Sequence, residues 1–400
     1  MSSSSVTGAV RSNLQRGKQK KPAVLFLTNH PVEDPSCRFR IFQFLPYLEE
    51  AGFTCHVRPF TTKSLYHAIR SRGRYLQKVF GTAFCAARRI RDLIGVSRYD
   101  LVVIHREVLP FATPLFESLV TAQHSRVIFG FDDSIHIGHP DTSDLPHPLL
   151  YKFKYGRGIE AVLRQCALIT PGNKTLEEYA SQFNSNVVVV PTVIDTEQYT
   201  VRDQRESSNK VTIGWFGSRS TSPYLSVVEP ALKRLAGAYP DKVDFCFYGD
   251  GEYRSELPNA RVVPFSVETE LVELGKIDVG LMPLPDNPWT RGKCSLKALQ
   301  YMARGVPVVT SPVGMAADVV QHGVNGFWAR NDEEWFEYLN TLVHDPSLRR
   351  RFAIEGRRTV EQDYSLQNWG PKLAALFEQV LGRAANPRVE SGESGEPVAA

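Results

Sequence analysis

The run Gly292-Lys-Cys-Ser-Leu-Lys-Ala-Leu-Gln-Tyr-Met-Ala-Arg-Gly-Val-Pro-Val-Val309 gathers two lysines and a serine at the head of an amphipathic pattern. A turn at Asn287-Pro288 precedes it, so the spacing predicts a helix whose first turn includes Gly292, Lys293 and Ser295. The first N–H groups of a helix have no partner within it and sit at the positive end of its dipole, which favours an anion. Lys297 falls in the next turn, within reach of the same anion, and Gln300 follows three residues later on the same face. Periodicity alone favours the plainer reading, an ordinary amphipathic helix with solvated lysines.

A second group of candidates lies in the first half. Phe131-Asp-Asp-Ser-Ile135 places Asp132 and Asp133 at the end of an expected strand, the edge where open α/β sheets bind ligands. Neighbouring carboxylates there can orient a substrate hydroxyl or assist its deprotonation. Helix capping by either aspartate is the alternative. His105-Arg-Glu107 ends another strand in the same way, which makes His105 a candidate. Cys37-Arg-Phe-Arg-Ile41 follows the first strand, and Arg38 and Arg40 either meet an anionic ligand or open a solvated helix.

Between Lys63 and Arg98 the chain carries Arg70, Arg72, Arg74, Lys78, Arg88, Arg89, Arg91 and Arg98, with Asp92 as its only acid. Leu76, Val79, Phe80, Phe84, Ile90, Leu93 and Ile94 are interleaved with them. Such a segment suits the headgroups of an anionic membrane. It also suits a solvated basic face whose apolar side enters the core. No nucleic-acid recognition motif accompanies the charge, so nucleic acid is not an expected partner.

The elements that must position these residues follow a repeated grammar. Short apolar runs read as buried parallel strands at 23–28, 54–58, 100–105, 126–131, 168–170 and 187–191. A helix is expected from Phe39 to Ala51, closed by Gly52. The grammar restarts after the polar linker 206–210, with strands at 211–216, 244–248, 277–281, 306–310 and 326–328 and helices at 225–238 and 295–304. Alternation of this kind predicts an α/β chain with two doubly wound parallel sheets.

The 292–309 segment resembles the donor-site signature of the family 4 retaining glycosyltransferases of the GT-B fold. In that family two glutamates eight positions apart run into Glu-Ala-Met-Ala-x-Gly-x-Pro-Val-Val. Leu299–Ala303 and Gly305–Val309 match its second half, while Gly292 and Gln300 stand where the glutamates would be. The segment is similar to a subgroup carrying Gly-Lys-Cys in place of the first. Ile213-Gly-Trp-Phe-Gly-Ser218 with Arg219 resembles the first strand and turn of the donor domain, where the family places an arginine on the diphosphate. Thr221 and Ser222 occupy the place of its usual second basic residue. Leu168–Asp195 resembles the passage between the two domains, and Tyr364–Trp369 the segment that crosses back to the first.

The resemblance implies two Rossmann-like domains facing a cleft. The divisions would be a disordered tail at 1–21, an acceptor-side domain at 22–200, a donor-binding domain at 201–365, a crossover helix at 366–382 and a second tail at 383–400. It implies transfer of a sugar, with retention, from a nucleotide diphosphate sugar to a glycan or lipid-linked acceptor. Arg219, Lys297 and Asp133 would do the chemistry. Gly217, Ser218, Gly292, Lys293, Cys294, Gln300 and Phe265 would bind the donor, with Gln300 on the ribose and 263–266 around the base. Arg38, Arg40, Asp132 and His105 would face the acceptor. The nucleotide sugar is then a substrate, and neither a cofactor nor a metal is expected. A GT-B protein that binds nucleotide sugar without transferring it is the alternative, since both signature carboxylates are replaced. A dehydrogenase fits less well, because no G-x-G-x-x-G opens either half.

Bulk properties agree with this class. Four hundred residues suit two domains, and 42% hydrophobic with 22% charged residues is the balance of a soluble globular protein. No stretch approaches the roughly 18–20 apolar residues that span a bilayer. Met1–Lys21 lacks the apolar run of a secretory signal. Six scattered cysteines form no C-x-x-C pair, which points to a reducing cytoplasm, with the inner face of the plasma membrane as a possible site of action.

Overall fold

The structure is a computed structural model and describes residues 20–71, 73–109, 114–137, 158–202 and 210–382. The expected tails, apart from Lys20 and Lys21, lie outside these residues, as do Arg72 and linker residues 206–209.

Five parallel strands form the first sheet: Ala23–Thr28 (β1), Thr54–Pro59 (β2), Leu101–His105 (β3), Val127–Phe131 (β4) and Leu168–Pro171 (β5), in the order β2-β1-β3-β4-β5. β3 and β4 are buried along their whole length, as the continuous apolar runs require. The expected 187–191 strand is a single bridge from Val187 to Ile169. Pro191 has no N–H to continue the ladder, and the Val190 carbonyl accepts instead from Arg40.

The helix expected from Phe39 to Ala51 is broken in two. Pro35–Arg40 (α1) starts at Asp34, whose carboxylate accepts the Cys37 N–H at 3.2 Å. Leu45–Glu50 (α2) follows a 3-10 turn at Phe42–Phe44. Pro46 cannot bond back to residue 42, so it is accommodated only in the first turn of a new helix. Lys63–Arg70 (α3) and Tyr75–Ile94 (α4) then return the chain to β3.

Six parallel strands make the second sheet: Val211–Phe216 (β6), Val243–Gly249 (β7), Ala260–Pro264 (β8), Val279–Met282 (β9), Val308–Thr310 (β10) and Gly326–Trp328 (β11). Their order is β11-β10-β9-β6-β7-β8. β8 was not anticipated; its residues are only partly buried, and its apolar signal is correspondingly weak. The expected 225–238 helix starts only at Glu229, after a 3-10 segment at Ser222–Val227.

The strand order reverses between β1 and β3 in one sheet and between β6 and β9 in the other. Ligands of open α/β sheets bind beyond the strand C-termini at such points. The Leu366–Val380 helix leaves the second domain and packs on the first, with Phe377 against Phe26 and Phe53 at 6.1 and 5.8 Å between ring centres. Gly370 lies so close to Tyr47 that a Cβ would overlap its ring. Among the described residues no helix is long and apolar enough to cross a membrane, and all six cysteines are free.

Candidate active site

The two switch points meet. From the second domain, the chain leaves β9 and forms a short helix, Pro288–Arg291, capped by Asn287, before starting the Leu296–Ala303 helix at Ser295. Gly292 and Lys293 therefore lie in the link between two helices, not in the first turn of one. Ser295 has left-handed backbone at φ 51, uncommon for a residue other than glycine, and its buried hydroxyl has no hydrogen-bond partner among the described residues. It makes no side-chain cap, so the opening N–H groups of the helix stay uncapped by side chains.

Lys297 stands one turn into that helix and reaches over the turn that ends β6. Its Nζ donates to Thr221 Oγ1 at 3.0 Å and lies 5.2 Å from the centre of the Trp215 ring. A Cβ on Gly217 would sit 2.7 Å from Lys297 Cε, so the glycine lets the lysine stem cross the turn. No carboxylate among the described residues pairs with this ammonium. Burial and then the charge of Lys293 push it down to about 7, against a smaller opposing pull from Asp133.

Arg219 lies in the same turn but is exposed, paired with Glu252 at 3.1 Å. The Ser218 hydroxyl is shared with Ser220 at 2.9 Å. Phe265 lies past the end of β8, with ring centres 6.2 Å from Phe216 and 5.9 Å from Tyr248. Glycine turn, cations and aromatic shelf thus share one end of the second sheet.

The first domain faces this end with the carboxylates. Asp133 accepts from Arg106 Nη2 at 2.6 Å and lies 3.5 Å from Lys293 Nζ of the other domain. Asp132 accepts from Arg106 Nε at 2.5 Å and from Ser36 Oγ at 2.7 Å. Burial would raise its proton affinity, but the charge of Arg106, with lesser help from His105 and Arg40, holds the carboxyl well below its usual range. Neither aspartate caps a helix among the described residues; their work is ionic.

Several expected site residues are turned elsewhere. Arg40 is buried and donates to the Val190 and Thr170 carbonyls, so it braces β5 and is closed to an acceptor. His105 is buried too; burial lowers it to about 4, and its Nε2 faces Ser36 Oγ at 2.8 Å, making it a support for the Ser36–Asp132 pair. The Cys294 thiol donates to the Asp132 carbonyl at 3.3 Å and is buried at the domain boundary. Gly292 has no room for a side chain, because a Cβ would overlap Ser134 Oγ. The Gln300 amide donates to Glu270 Oε1 at 2.6 Å and to Tyr199 OH at 3.2 Å, and is buried there instead of facing the cleft. Arg38 reaches the same carboxylate from the first domain, 2.6 Å from Glu270 Oε2.

Residues 211–345 match the family described as Glycosyl transferases group 1. The second domain is thus a glycosyl transferase domain, and the chain has the GT-B fold. An uncharacterized glycosyltransferase of Methanocaldococcus jannaschii is 21% identical over 327 residues, spanning 73% of this chain and 79% of that protein. Among solved structures, sucrose-phosphate synthase from Thermosynechococcus elongatus superposes with a TM-score of 0.64 at 13% identity, covering 91% of this chain and 100% of that one. HepE of Anabaena in complex with UDP-glucose gives 0.62 at 14% identity, covering 90% and 100%.

The candidate site also contains residues with little or no signal in the sequence. Arg106 joins both aspartates and has left-handed backbone at φ 64; its only signal was adjacency to His105. Ser36 carried none. Glu270 and Tyr199 come from a surface-like helix and from the interdomain passage, yet Tyr199 OH donates to Glu270 Oε1 at 2.5 Å. Gln300 thus has a carboxylate beside it, supplied by Glu270 from 30 residues earlier.

Proposed function

We propose that this glycosyltransferase moves a sugar, with retention, from a nucleotide diphosphate sugar to a hydroxyl of a glycan or lipid-linked acceptor. The observation that carries the reading is Lys297: a half-buried ammonium with no carboxylate partner among the described residues, beside an uncapped helix start and a glycine turn. A diphosphate supplies the missing charge. Lys297 and Arg219 hold it, Gly217 and Ser218 let it approach the main chain, and the 263–266 segment with Phe265 borders the base. Gln300 positions Glu270 and Tyr199 and so shapes the ribose end without reaching it in this arrangement.

In the reaction the bond from the anomeric carbon to the diphosphate breaks and its electron pair leaves on the phosphate oxygen. Lys297, Arg219 and the helix N-terminus favour that developing charge. The acceptor oxygen bonds to the same carbon, and its proton passes to the departing phosphate. Asp133, fixed by Arg106 and facing Lys293, accepts a hydrogen bond from the acceptor hydroxyl and aims it. No metal or cofactor enters the scheme. The setting is the cytoplasm, peripheral on the inner face of the plasma membrane.

A panel of UDP-, GDP-, ADP- and dTDP-sugars tests the reading by thermal stabilisation, followed by product formation. A donor at 100 times its Kd stabilises by about 2.7 kcal/mol. No stabilisation by any donor overturns the proposal. Stabilisation without transfer or hydrolysis leaves a nucleotide-sugar-binding protein.

A further inference from the structure

Helix α4 leaves its apolar side uncovered. Leu76, Phe80, Phe84 and Ile94 are 74%, 69%, 64% and 73% exposed, and Val79 is exposed beside them. At 3.6 residues per turn these positions share one face of a 20-residue helix, a stripe about 30 Å long. The opposite face, with Cys85, Arg89 and Leu93, is the one that packs on the domain. Arg89 and Arg88 belong to that packing, donating to the carbonyls of Thr28 and of Pro59 and Phe60. Soluble proteins rarely expose an apolar strip of this extent without a partner.

Charge selects the partner. Arg74 at the start of α4 and Arg91 within it are exposed, as is Arg98 just past its end, while Asp92, the only acid from Lys63 to Arg98, lies to one side near Arg58 at 3.9 Å. A second copy would set these cations against each other. An anionic bilayer offers an apolar interior and negative headgroups at once. Location agrees: Gln77 donates to Ser64 Oγ at 3.0 Å, and Lys63 pairs with Glu33 at 2.9 Å in the loop after β1. The Tyr75–Phe80 end of α4 therefore lies at the strand end that carries the cleft.

We propose that α4 docks the protein on an anionic bilayer. It lies in the interface with Leu76, Val79, Phe80 and Phe84 among the acyl chains and Arg74 and Arg91 on the headgroups. This deepens the peripheral setting given above and rests on it for the whereabouts of the acceptor. Flotation of the full chain with phosphatidylcholine vesicles, with and without phosphatidylglycerol, tests it. The wild type floats with the anionic vesicles and is released by high salt. Leu76→Glu with Phe80→Glu lowers partitioning on the order of 100-fold, with unchanged Tm and unchanged donor-induced stabilisation. Arg74→Glu with Arg91→Glu removes the preference for phosphatidylglycerol. Flotation indifferent to lipid charge, or unaltered in the Leu76/Phe80 variant, overturns the proposal. So does a wild-type dimer that the variant makes monomeric while neither binds vesicles. Vesicle binding without any donor response keeps the docking surface and removes only the transfer reading.

Discussion

Gly292 and Ser134 meet across the domain boundary so closely that the glycine has no space for a Cβ: the atom would overlap the serine hydroxyl. The hydroxyl itself donates to the Pro288 carbonyl at 3.2 Å. Asn173 Nδ2 donates to the Lys293 carbonyl nearby, at 3.2 Å, so main chain of one domain rests directly on side chains of the other. A glutamate at position 292 is incompatible with this closure.

Gly292→Ala should therefore wedge the domains apart. We expect a loss of about 1–3 kcal/mol in stability, the usual effect of overpacking. Gly292→Ala with Ser134→Gly should recover most of it. Denaturant titration of the two variants decides this; equal stability of Gly292→Ala and wild type would mean that the domains do not close here.

Lys297 makes donor binding pH-dependent. Its ammonium is lowered to about 7 in the free protein, and a bound diphosphate should raise it again, so binding near and above pH 7 takes up a proton. Affinity should fall as pH rises above 7. Calorimetry in buffers of different ionisation enthalpy would detect the proton, and its absence would exclude Lys297 from the diphosphate.

The same lysine should cost the free protein stability. Because the folded value is below the unfolded one, the unfolded chain binds more protons between about pH 7 and the ordinary lysine value near 10.4. The penalty is complete below pH 7 and relieved as pH rises through that window. Lys297→Met should raise Tm at pH 7 and flatten the dependence, yet lower kcat/KM by about 10-fold or more. Arg219→Ala should cost activity without any gain in Tm, since that side chain is exposed and paired.

The two aspartates should separate. Asp132→Asn removes a buried partner of Arg106 and Ser36, and a loss of roughly 3–5 kcal/mol is expected. The wild-type carboxyl is held below its ordinary value, so its contribution is present above about pH 4 and disappears as acid titrates it. The variant should show a weaker acid dependence. Asp133→Asn should leave Tm nearly unchanged and lower kcat. Stability loss in Asp133→Asn with normal turnover would reverse the assignment.

Gln300→Glu should destabilise the protein. It sets a second carboxylate against Glu270 Oε1 in a buried site, where an unpaired polar group costs about 1–3 kcal/mol and a charge more. The deficit should shrink at low pH as one carboxyl takes a proton. A Tm equal to wild type at neutral pH would show that Glu270 does not stay beside position 300.

Local pattern suffices for the α/β class, for ten of the eleven strands among the described residues and for the elements that carry Gly217, Asp133 and Lys297, because buried parallel strands write themselves as local apolar runs ended by turn residues. The same local rules could not tell which side of a residue's element faces a partner. Arg40 and His105 read like cleft residues, and only the packing of β5 and Ser36 around them shows them buried. Glu270 and Tyr199 were invisible as site residues, since their meeting with Gln300 joins segments 71 and 101 positions from Tyr199. For α4 the pattern allowed its apolar side to be core or surface. Packing settles the question: Cys85 and Leu93 turn inward on the domain, and Leu76, Phe80 and Phe84 are left mostly exposed. Periodicity defines a face, and only the neighbouring elements define what that face meets.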